Sequence, residues 1–365
     1  MIRLAIPSID AQEERAVQAV LRSGFLVQGK TVARFEEAVA RYLDVKHAVA
    51  VSSGTSALHL ALVSFGIGPG DEVIVPDYTF PATANVVELV GAKPVFADID
   101  PETFNIDAKA VEKLINKKTK AIIPVHLFGQ SADMAPLMRL AKKYKLKVIE
   151  DAACVLGAEY KGRKCGTIGD IGCFSFHPRK VITTGEGGMA VTNDRSIADR
   201  LRTLRNHGIA HKGSKIDFVM AGFNYRMTEI QAALGLVQLK RIKALILSRR
   251  KVAGIYDSQL GAIDWIKTPS TPAYNTHVFQ TYIIQISGAI DRGQLLRFLQ
   301  QNGIEANFGT YALHHLTFYK KKYHLKASQF PVTEVVFQNS IALPVFEHLS
   351  VDQIRRITAI LKKFR

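Results

Sequence analysis

The chain has 365 residues, of which 47% are hydrophobic and 22% charged, and its formal net charge is +16 at pH 7. Its length exceeds the size at which one hydrophobic core usually stops growing, so we expect two domains, and its composition excludes a disordered chain. No apolar run approaches the ~20 residues that cross a bilayer and no secretory leader is recognisable, so we expect a cytoplasmic protein without a membrane partner.

Two amphipathic helices open the chain, because apolar residues recur at helical spacing over 10–23 and 31–43. A short β-rich run at 47–51 then leads into the polar turn 52–56, and a helical segment follows at 57–65. This order places free backbone N–H groups and hydroxyls at a helix N-terminus. Such an arrangement fits either a phosphate site or an ordinary N-cap.

Short β-rich runs continue to alternate with helical segments as far as residue 150. This alternation predicts an α/β fold with a mainly parallel sheet flanked by helices on both faces. Ligands bind at the carboxyl ends of the strands in such sheets, and polar residues gather there in this sequence. The strands are predicted at 72–75, 94–97, 121–125 and 147–150, the helices at 82–90, 108–116 and 134–144, and the polar strand ends include Asp77, Asp98, His126, Asp151 and Ser175.

The second half of the chain predicts a long connecting helix followed by a smaller α/β layer. Helical spacing covers 196–205 and then about 228–260. We therefore expect a large ligand-binding domain over 1–240 and a small C-terminal domain over 241–365. Within the latter the sequence predicts strands at 280–286 and 304–308 and helices at 291–301 and 350–364.

The stretch from Ile171 to Gly188 offers a hydroxyl at Ser175 and an amine at Lys180 before a glycine-rich turn. Small glycines let the backbone pass close to a ring or a phosphate. Asp151, at a strand end beside two alanines, is suited to keep the ring nitrogen of a flat cofactor protonated, as pyridoxal phosphate chemistry requires. A lysine over such a ring can form a Schiff base and then move a proton as general base and acid.

The basic residues, cysteines and histidines argue against nucleic-acid binding, disulfides and metal sites. The basic excess fits either polyanion binding or a solvated surface, but the positive residues form no nucleic-acid motif, so no nucleic-acid partner is expected. Cys154, Cys165 and Cys173 form no CxxC pair, which predicts no disulfide framework and a reducing compartment. The histidines show no metal-ligand spacing, so no metal site is expected.

Six ordered blocks, spread over nearly the whole chain, carry a family resemblance: SSGTSALHLAL (52–62), DEVIVPDYTFPATANVV (71–87), EDAACVLGAEYKGRKCGTIGDIGCFSFHPRK (150–180), TTGEGG (183–188), RNHG (205–208) and GFNYRMTEIQAALG (222–235). The sequence resembles the DegT/DnrJ/EryC1/StrS family of pyridoxal phosphate-dependent sugar aminotransferases. The resemblance implies a fold-type-I aminotransferase.

Residue roles follow from this resemblance position by position. It implies that Lys180 is the Schiff-base lysine and that Asp151 pairs with the pyridine nitrogen. The other cofactor contacts that it implies are Gly54, Thr55 and Ser175 at the phosphate, Phe80 stacked on the ring, Ala153 on its opposite face, and Cys154 nearby. It also implies that Asn224 reaches the phosphate from the other subunit of a homodimer with shared active sites, and that the sugar pocket is bordered by His177, Tyr311, His314 and 25–30.

The resemblance further implies a reaction in two halves. An amino acid, L-glutamate by family analogy, leaves its amine as pyridoxamine phosphate, and a nucleotide-linked keto-6-deoxy sugar accepts it, for cell-surface polysaccharide or related amino-sugar biosynthesis. A dehydrating subgroup has histidine in place of Lys180, so the lysine favours transamination. A non-catalytic regulatory role is the remaining alternative, and Asp151 with Lys180 argues against it. Cys154 departs from the His or Gln of many relatives, which could alter cofactor affinity.

Overall fold

The computed structural model describes residues 1–212 and 215–364, and helices alternate with strands through its first half. The strands are β1 (His47–Val51), β2 (Glu72–Pro76), β3 (Tyr78–Thr79), β4 (Lys93–Ala97), β5 (Thr119–Ile122), β6 (Lys147–Asp151), β7 (Glu159–Tyr160), β8 (Arg163–Lys164), β9 (Ile171–Ser175), β10 (Gly188–Thr192), β11 (Ile209–Lys212), β12 (Lys215–Phe218), β13 (Ile266–Lys267), β14 (Tyr282–Ile286), β15 (Tyr311–Ala312) and β16 (Ser340–Leu343). The helices are α1 (Ala11–Ser23), α2 (Lys30–Leu43), α3 (Gly54–Ser64), α4 (Ala82–Leu89), α5 (Ala108–Leu114), α6 (Met134–Tyr144), α7 (Arg195–Arg205), α8 (Glu229–Leu260), α9 (Arg292–Gln301), α10 (Thr317–Tyr323), α11 (Pro331–Asn339) and α12 (Val351–Lys363), with 3₁₀ turns at Leu313–His315 and Ala327–Gln329.

The central sheet has the strand order β1-β10-β9-β6-β5-β2-β4. β10 runs antiparallel to both of its neighbours, and the remaining neighbouring pairs are parallel. Every strand of this sheet except β10 therefore ends at the same edge. The predicted mainly parallel sheet is confirmed, and its carboxyl edge is where the polar strand ends meet.

Both faces of the sheet are buried because its strands are apolar at successive positions. In β2, Ile74 packs into one core cluster while Val73 and Val75 pack into the other, as the alternation of side chains along a strand requires. The first cluster contains buried residues of α2, α6 and the first half of α8. The second contains those of α3, α4 and α7. Helices therefore cover the sheet from both sides.

A third cluster belongs to the C-terminal part of the chain, where β13, β14 and β16 form a small sheet. The second half of α8 packs into this cluster, together with α9 and α12. Ile2 joins it as well and forms a bridge with Ile304. The helix α8 runs without interruption across residues 240 and 241, so the domain boundary placed there stays a prediction.

Most predicted elements form, with shifts of a few residues at their ends. The predicted strand 304–308 is wrong: Ile304 bridges Ile2 whereas Asn307 bridges Ala342, so no continuous ladder forms. The predicted strand 121–125 ends at Ile122, and Pro124 cannot donate to a ladder. None of the described helices combines the length and apolar character needed to cross a bilayer.

The start of α2 is held by a carboxylate from α8. Its N-cap, Gly29, has no side chain, and Glu229 takes over the capping role. Oε1 of Glu229 accepts from the backbone N–H groups of Gly29 at 2.9 Å and Val32 at 2.8 Å, and Oε2 accepts from that of Thr31 at 2.9 Å. These N–H groups have no partner within the helix, and the negative charge suits the helix dipole. The contact fixes segment 25–30 against α8.

We expect Glu229→Gln to lower the free energy of unfolding by about 1–3 kcal/mol, because an amide offers one acceptor oxygen to three N–H groups. The hydrogen bonds lower the pKa of Glu229 although burial opposes them. The stabilisation is therefore present above the ordinary glutamate pKa of about 4.3 and is lost as the pH falls through the lowered value. Denaturant unfolding at several pH values measures it.

The matched control is Glu37→Gln, since Glu37 is an exposed glutamate of α2, the helix that Glu229 caps. Its unfolding free energy should stay within about 0.5 kcal/mol of the wild type. Equal unfolding midpoints for the two variants would contradict the capping role of Glu229.

Candidate active site

A cavity of about 620 Å³ lies at the carboxyl edge of the central sheet. It is bordered by the ends of β1, β6 and β9 on one side and by the C-terminal segments after β14 on the other. The structure brings most of the sequence-predicted site residues to its wall, namely Gly54, Thr55, Phe80, Asp151, Ala153, Cys154, Ser175, His177 and Lys180.

One end of the cavity is formed by the N-terminus of α3. The register of β1, β10 and β9 places Val51, Gly188 and Ser175 side by side, so that Ser53 and Gly54 pass directly over β9. A Cβ at Gly54 would lie 2.8 Å from Cβ of Ser175, and one at Gly188 would lie 2.2 Å from the carbonyl oxygen of Ser53. Only glycine permits this approach. The result is a helix N-terminus beside a hydroxyl, which is suited to bind a phosphate.

A buried carboxylate lies in the wall at the end of β6. Thr83 of α4 donates its hydroxyl to Oδ2 of Asp151 at 2.8 Å, and the backbone N–H of Ala153 donates to Oδ1 at 3.2 Å. Burial raises the pKa of Asp151. Among the described residues no cationic side chain forms an ion pair with it. A buried carboxylate with only neutral donors is costly, so this position fits the cationic N–H of a bound ring.

The amine of Lys180 lies in the same cavity. Its Nζ donates to Sγ of Cys154 at 3.1 Å, and its backbone N–H donates to the carbonyl of His177 at 2.8 Å. The turn 177–180 thus presents the lysine. Burial lowers the pKa of His177, and the charges of Lys180 and Arg179 lower it further while Glu186 opposes them. His177 is therefore a neutral imidazole beside the amine at neutral pH.

A buried pair of side chains, His126 and Glu150, supports the strand end that carries Asp151. Nδ1 of His126 accepts from the backbone N–H of Ala132 at 3.1 Å, so the proton is on Nε2, which donates to Glu150 at 2.7 Å. Glu150 also accepts three backbone N–H groups from the loop 166–169. Both ring nitrogens of His126 are occupied, so this histidine holds the strand end in place and is not available to a ligand.

Three sequence-predicted residues and the predicted segment 25–30 do not line the cavity of the single chain. Asn224 is exposed in the segment before α8. Tyr311 pairs with Thr79 in the ribbon formed by β3 and β15, and its ring lies edge-to-face with that of Phe80 at 6.2 Å. His314 is buried behind this ribbon, where two carboxylates occupy its ring nitrogens, so the structure does not bring it to the sugar pocket.

The sequence reasoning missed other residues of the cavity. Arg179 precedes the lysine directly. Others lie far along the chain and carry no local signal: Gln280, Thr281, Asn307 and Thr310. Thr83, which donates to Asp151, was missed as well; it is fully buried and does not line the cavity.

Comparison with known proteins gives a consistent result over the whole chain. Residues 7–362 match the DegT/DnrJ/EryC1/StrS aminotransferase family. The GDP-perosamine synthase of Caulobacter vibrioides is 42% identical over 99% of this chain and 97% of its own length. The UDP-4-amino-4-deoxy-L-arabinose–oxoglutarate aminotransferase of Shewanella sediminis is 37% identical over 99% and 97%. The putative sugar aminotransferase Spr1654 of Streptococcus pneumoniae, solved in its PMP form, superposes with a TM-score of 0.94 at 31% identity and full coverage of both chains.

We expect a thiol reagent such as iodoacetamide to modify Cys154 alone in the native protein. Cys154 is half-buried at the cavity wall, whereas Cys165 and Cys173 are buried and burial raises the pKa of both thiols. Intact-mass measurement should show one modified thiol per chain, and added pyridoxal phosphate should slow the reaction. Cys154→Ala should abolish labelling, and Cys165→Ala should leave it unchanged. If Cys154→Ala were labelled at the wild-type rate, the reagent would be reacting with another cysteine and the cavity would be closed to it.

Proposed function

Because this chain belongs to the DegT/DnrJ/EryC1/StrS aminotransferase family, we propose that it transfers the amino group of L-glutamate to a GDP-linked keto-6-deoxy sugar. It is a transaminase that uses pyridoxal 5′-phosphate. The observation that carries the proposal is the buried carboxylate of Asp151, which forms no ion pair with any cationic side chain of the described residues and lines the same cavity as the amine of Lys180.

The residues present fit the cofactor at both of its charged ends. Asp151 would hold the proton on the ring nitrogen, and the cation so formed would compensate its buried charge. The N–H groups at the start of α3 and the hydroxyl of Ser175 would bind the phosphate. Phe80 and Ala153 would enclose the ring from its two faces. When bound, the cofactor supplies an electron sink that stabilises negative charge on the reacting carbon.

The proton transfers fall to Lys180. Its Nζ is the one lysine amine among the described residues lining the cavity. In the first half of the reaction Nζ removes the proton from Cα of the amino acid, and in the second half it delivers a proton to the sugar carbon that receives the nitrogen. Cys154 accepts a hydrogen bond from Nζ and so holds the amine in the cavity when it is free. The neutral His177 beside it adds no competing charge.

The substrates are proposed from the relatives and from the cavity together. The Caulobacter relative is named for a GDP-linked product and the Shewanella relative for oxoglutarate, the keto acid that glutamate leaves behind. Apolar side chains line the part of the cavity away from the phosphate end and suit the methyl group of a 6-deoxy sugar. They are Leu4, Leu127, Phe128, Leu343 and Val345. The excess of positive charge suits a diphosphate.

We also propose that the active unit is a homodimer. Phe25 and Val27, in the segment before α2, are 79% and 67% exposed, and Ile216 and Phe218 of the β11–β12 hairpin are 63% and 66% exposed. Exposed large apolar residues such as these, within each segment, are typical of protein–protein interfaces. Asn224 is exposed close to the hairpin in sequence. A second copy covering these segments would let Asn224 reach the phosphate of the neighbouring site.

The acceptor is tested by assaying glutamate-dependent amination of keto-6-deoxy sugars that carry GDP, UDP or dTDP. We expect the GDP-linked sugar to have the highest kcat/KM, by about tenfold or more, since the specificity is a difference in transition-state binding. Lys180→Ala should reduce activity by about 10³-fold or more. Lys320→Ala, which removes an exposed lysine, is the control. Sugar dehydration without glutamate consumption would instead support the dehydratase alternative.

The shared site is tested with two inactive variants. Lys180→Ala removes the proton-transferring amine, and Asn224→Asp places a negative charge where the phosphate would bind. Each should be inactive alone, and mixed dimers should recover on the order of a quarter of the wild-type activity, because half of the dimers are hybrids with one intact site. Activity after unfolding and refolding the mixture measures this. No recovery from a mixture shown to contain hybrids would place both residues in one subunit's site.

A further inference from the structure

A chain of buried titratable side chains lies behind the cavity wall. Nδ1 of His314 is 2.5 Å from Oδ2 of Asp77, and its Nε2 is 2.8 Å from Oε2 of Glu334. The exposed neighbour His315 places its own Nε2 2.6 Å from the same oxygen of Glu334. The side chains of His314 and Asp77 are 1% and 0% exposed. The separations are hydrogen-bond lengths, so a buried histidine bridges two carboxylates.

Counting donors shows that this bridge needs an additional proton. Ionised carboxylates only accept hydrogen bonds, and a neutral imidazole has one N–H group. Bonds from both ring nitrogens of His314 to ionised carboxylates therefore require the imidazolium form. Burial raises the pKa of Asp77, but Oδ1 of Asp77 also accepts from the backbone N–H of His314, and this second donor favours the ionised carboxylate with the proton on the ring. Burial opposes the charge, but the hydrogen bonds and charges of Asp77 and Glu334 raise the pKa of His314. His126 is the contrast: one of its nitrogens faces a backbone N–H, so that ring is neutral.

The surroundings of His314 also favour the protonated form. Besides Asp77, Glu334 and His315, the carboxylate of Asp98 acts on the bridge through its charge, which raises the pKa of Asp77; Asp98 also caps the start of α11 through backbone N–H groups. On its open side the imidazole stacks on the ring of Phe330, with centroids 5.2 Å apart. In the described part of the chain no lysine or arginine forms an ion pair with these carboxylates. The proton on His314 is thus the cation that they share.

The bridge is connected directly to the cavity. The backbone N–H of His314 donates to Oδ1 of Asp77 at 3.0 Å, and that of Leu313 donates to the carbonyl of Asp77 at 2.7 Å. These bonds continue the pairing of β3 with β15, in which Tyr78 and Thr79 lie opposite Ala312 and Tyr311. Phe80 follows at once and lines the cavity. The position of this aromatic ring is therefore set by how firmly β15 is bound to Asp77.

We propose that His314 is a positioning residue: as a proton-bearing bridge between Asp77 and Glu334, it fixes the β3–β15 ribbon and holds Phe80 where the cofactor ring binds. The inference rests on the proposed contact between Phe80 and that ring. His314 acts through the ribbon and does not contact the sugar. Its effect is strongest while the bridge keeps its proton and declines as the pH rises through the raised pKa of His314, which loosens the ribbon.

The test is the affinity of the apoprotein for pyridoxal phosphate, measured by equilibrium dialysis between pH 6 and 9. We expect His314→Gln to weaken binding by about tenfold at neutral pH, because an amide cannot donate to both carboxylates. Glu334→Gln removes one of the charges that retain the proton, so the pH at which affinity declines should move to a lower value. His315→Gln changes only the exposed side of the cluster and should leave the wild-type curve in place.

Each outcome decides one question. A wild-type protein that binds no pyridoxal phosphate would contradict the assigned cofactor site itself. Wild-type binding with unchanged curves for His314→Gln and Glu334→Gln would overturn the bridge and leave the proposed reaction intact. If His314→Gln fails to fold, Glu334→Gln still decides, since Glu334 is partly exposed. If a chelator shifted the pH dependence of pyridoxal phosphate affinity of the wild-type protein, the bridging charge would belong to a metal ion. That result would contradict the proposal that a proton on His314 bridges the carboxylates.

Discussion

A buried carboxylate without a cation is the constraint on which the rest of the site depends. Asp151 ends a central strand and is buried, yet its hydrogen-bond donors among the described residues are a hydroxyl and a backbone N–H. Such a group is tolerated when its surroundings are rigid, and here Glu150 and His126 fix the strand from below. In the proposed function the ring of the cofactor supplies this missing charge. Asp151 is then an electrostatic requirement that the fold leaves unmet until the ring is present.

The sequence could reveal this centre because its parts follow apolar runs. Asp151 and Ser175 come directly after buried strands, and Lys180 lies between a strand and a glycine-rich turn, so the alternation of strands and helices places them at one edge. Family resemblance supplied the roles. Polar contacts across the chain could not be predicted: Glu229 caps a helix that lies about 200 positions earlier, and His314 meets Asp77 at a separation of 237 residues. Nothing near either residue indicates its partner.

The predicted sugar contact of His314 illustrates the same difficulty. A histidine near an aromatic residue in a C-terminal loop can line a pocket or form a buried bridge. The sequence does not show whether the side chain is buried, nor which carboxylates face it. Two of the buried histidines, His126 and His314, differ in charge for one reason. A backbone N–H faces a ring nitrogen of the first, and a carboxylate faces each ring nitrogen of the second. Protonation is decided by the neighbouring donor or acceptor, which only the fold provides.

The proposed function assigns catalysis and substrate choice to different parts of the molecule. The groups proposed to bind the cofactor and to move protons lie on the carboxyl edge of the large sheet. The opposite wall comes from C-terminal segments around Asn307 and Leu343, which join the core cluster containing Ile2. The two walls also share a hydrophobic cluster, in which Leu127 and Phe128 of the first wall pack with Ala342 of the second. Homologues named for different nucleotide sugars match this chain over nearly their full length. In this chain the β3–β15 ribbon is the place where the two walls meet, and it is held by the proton on His314.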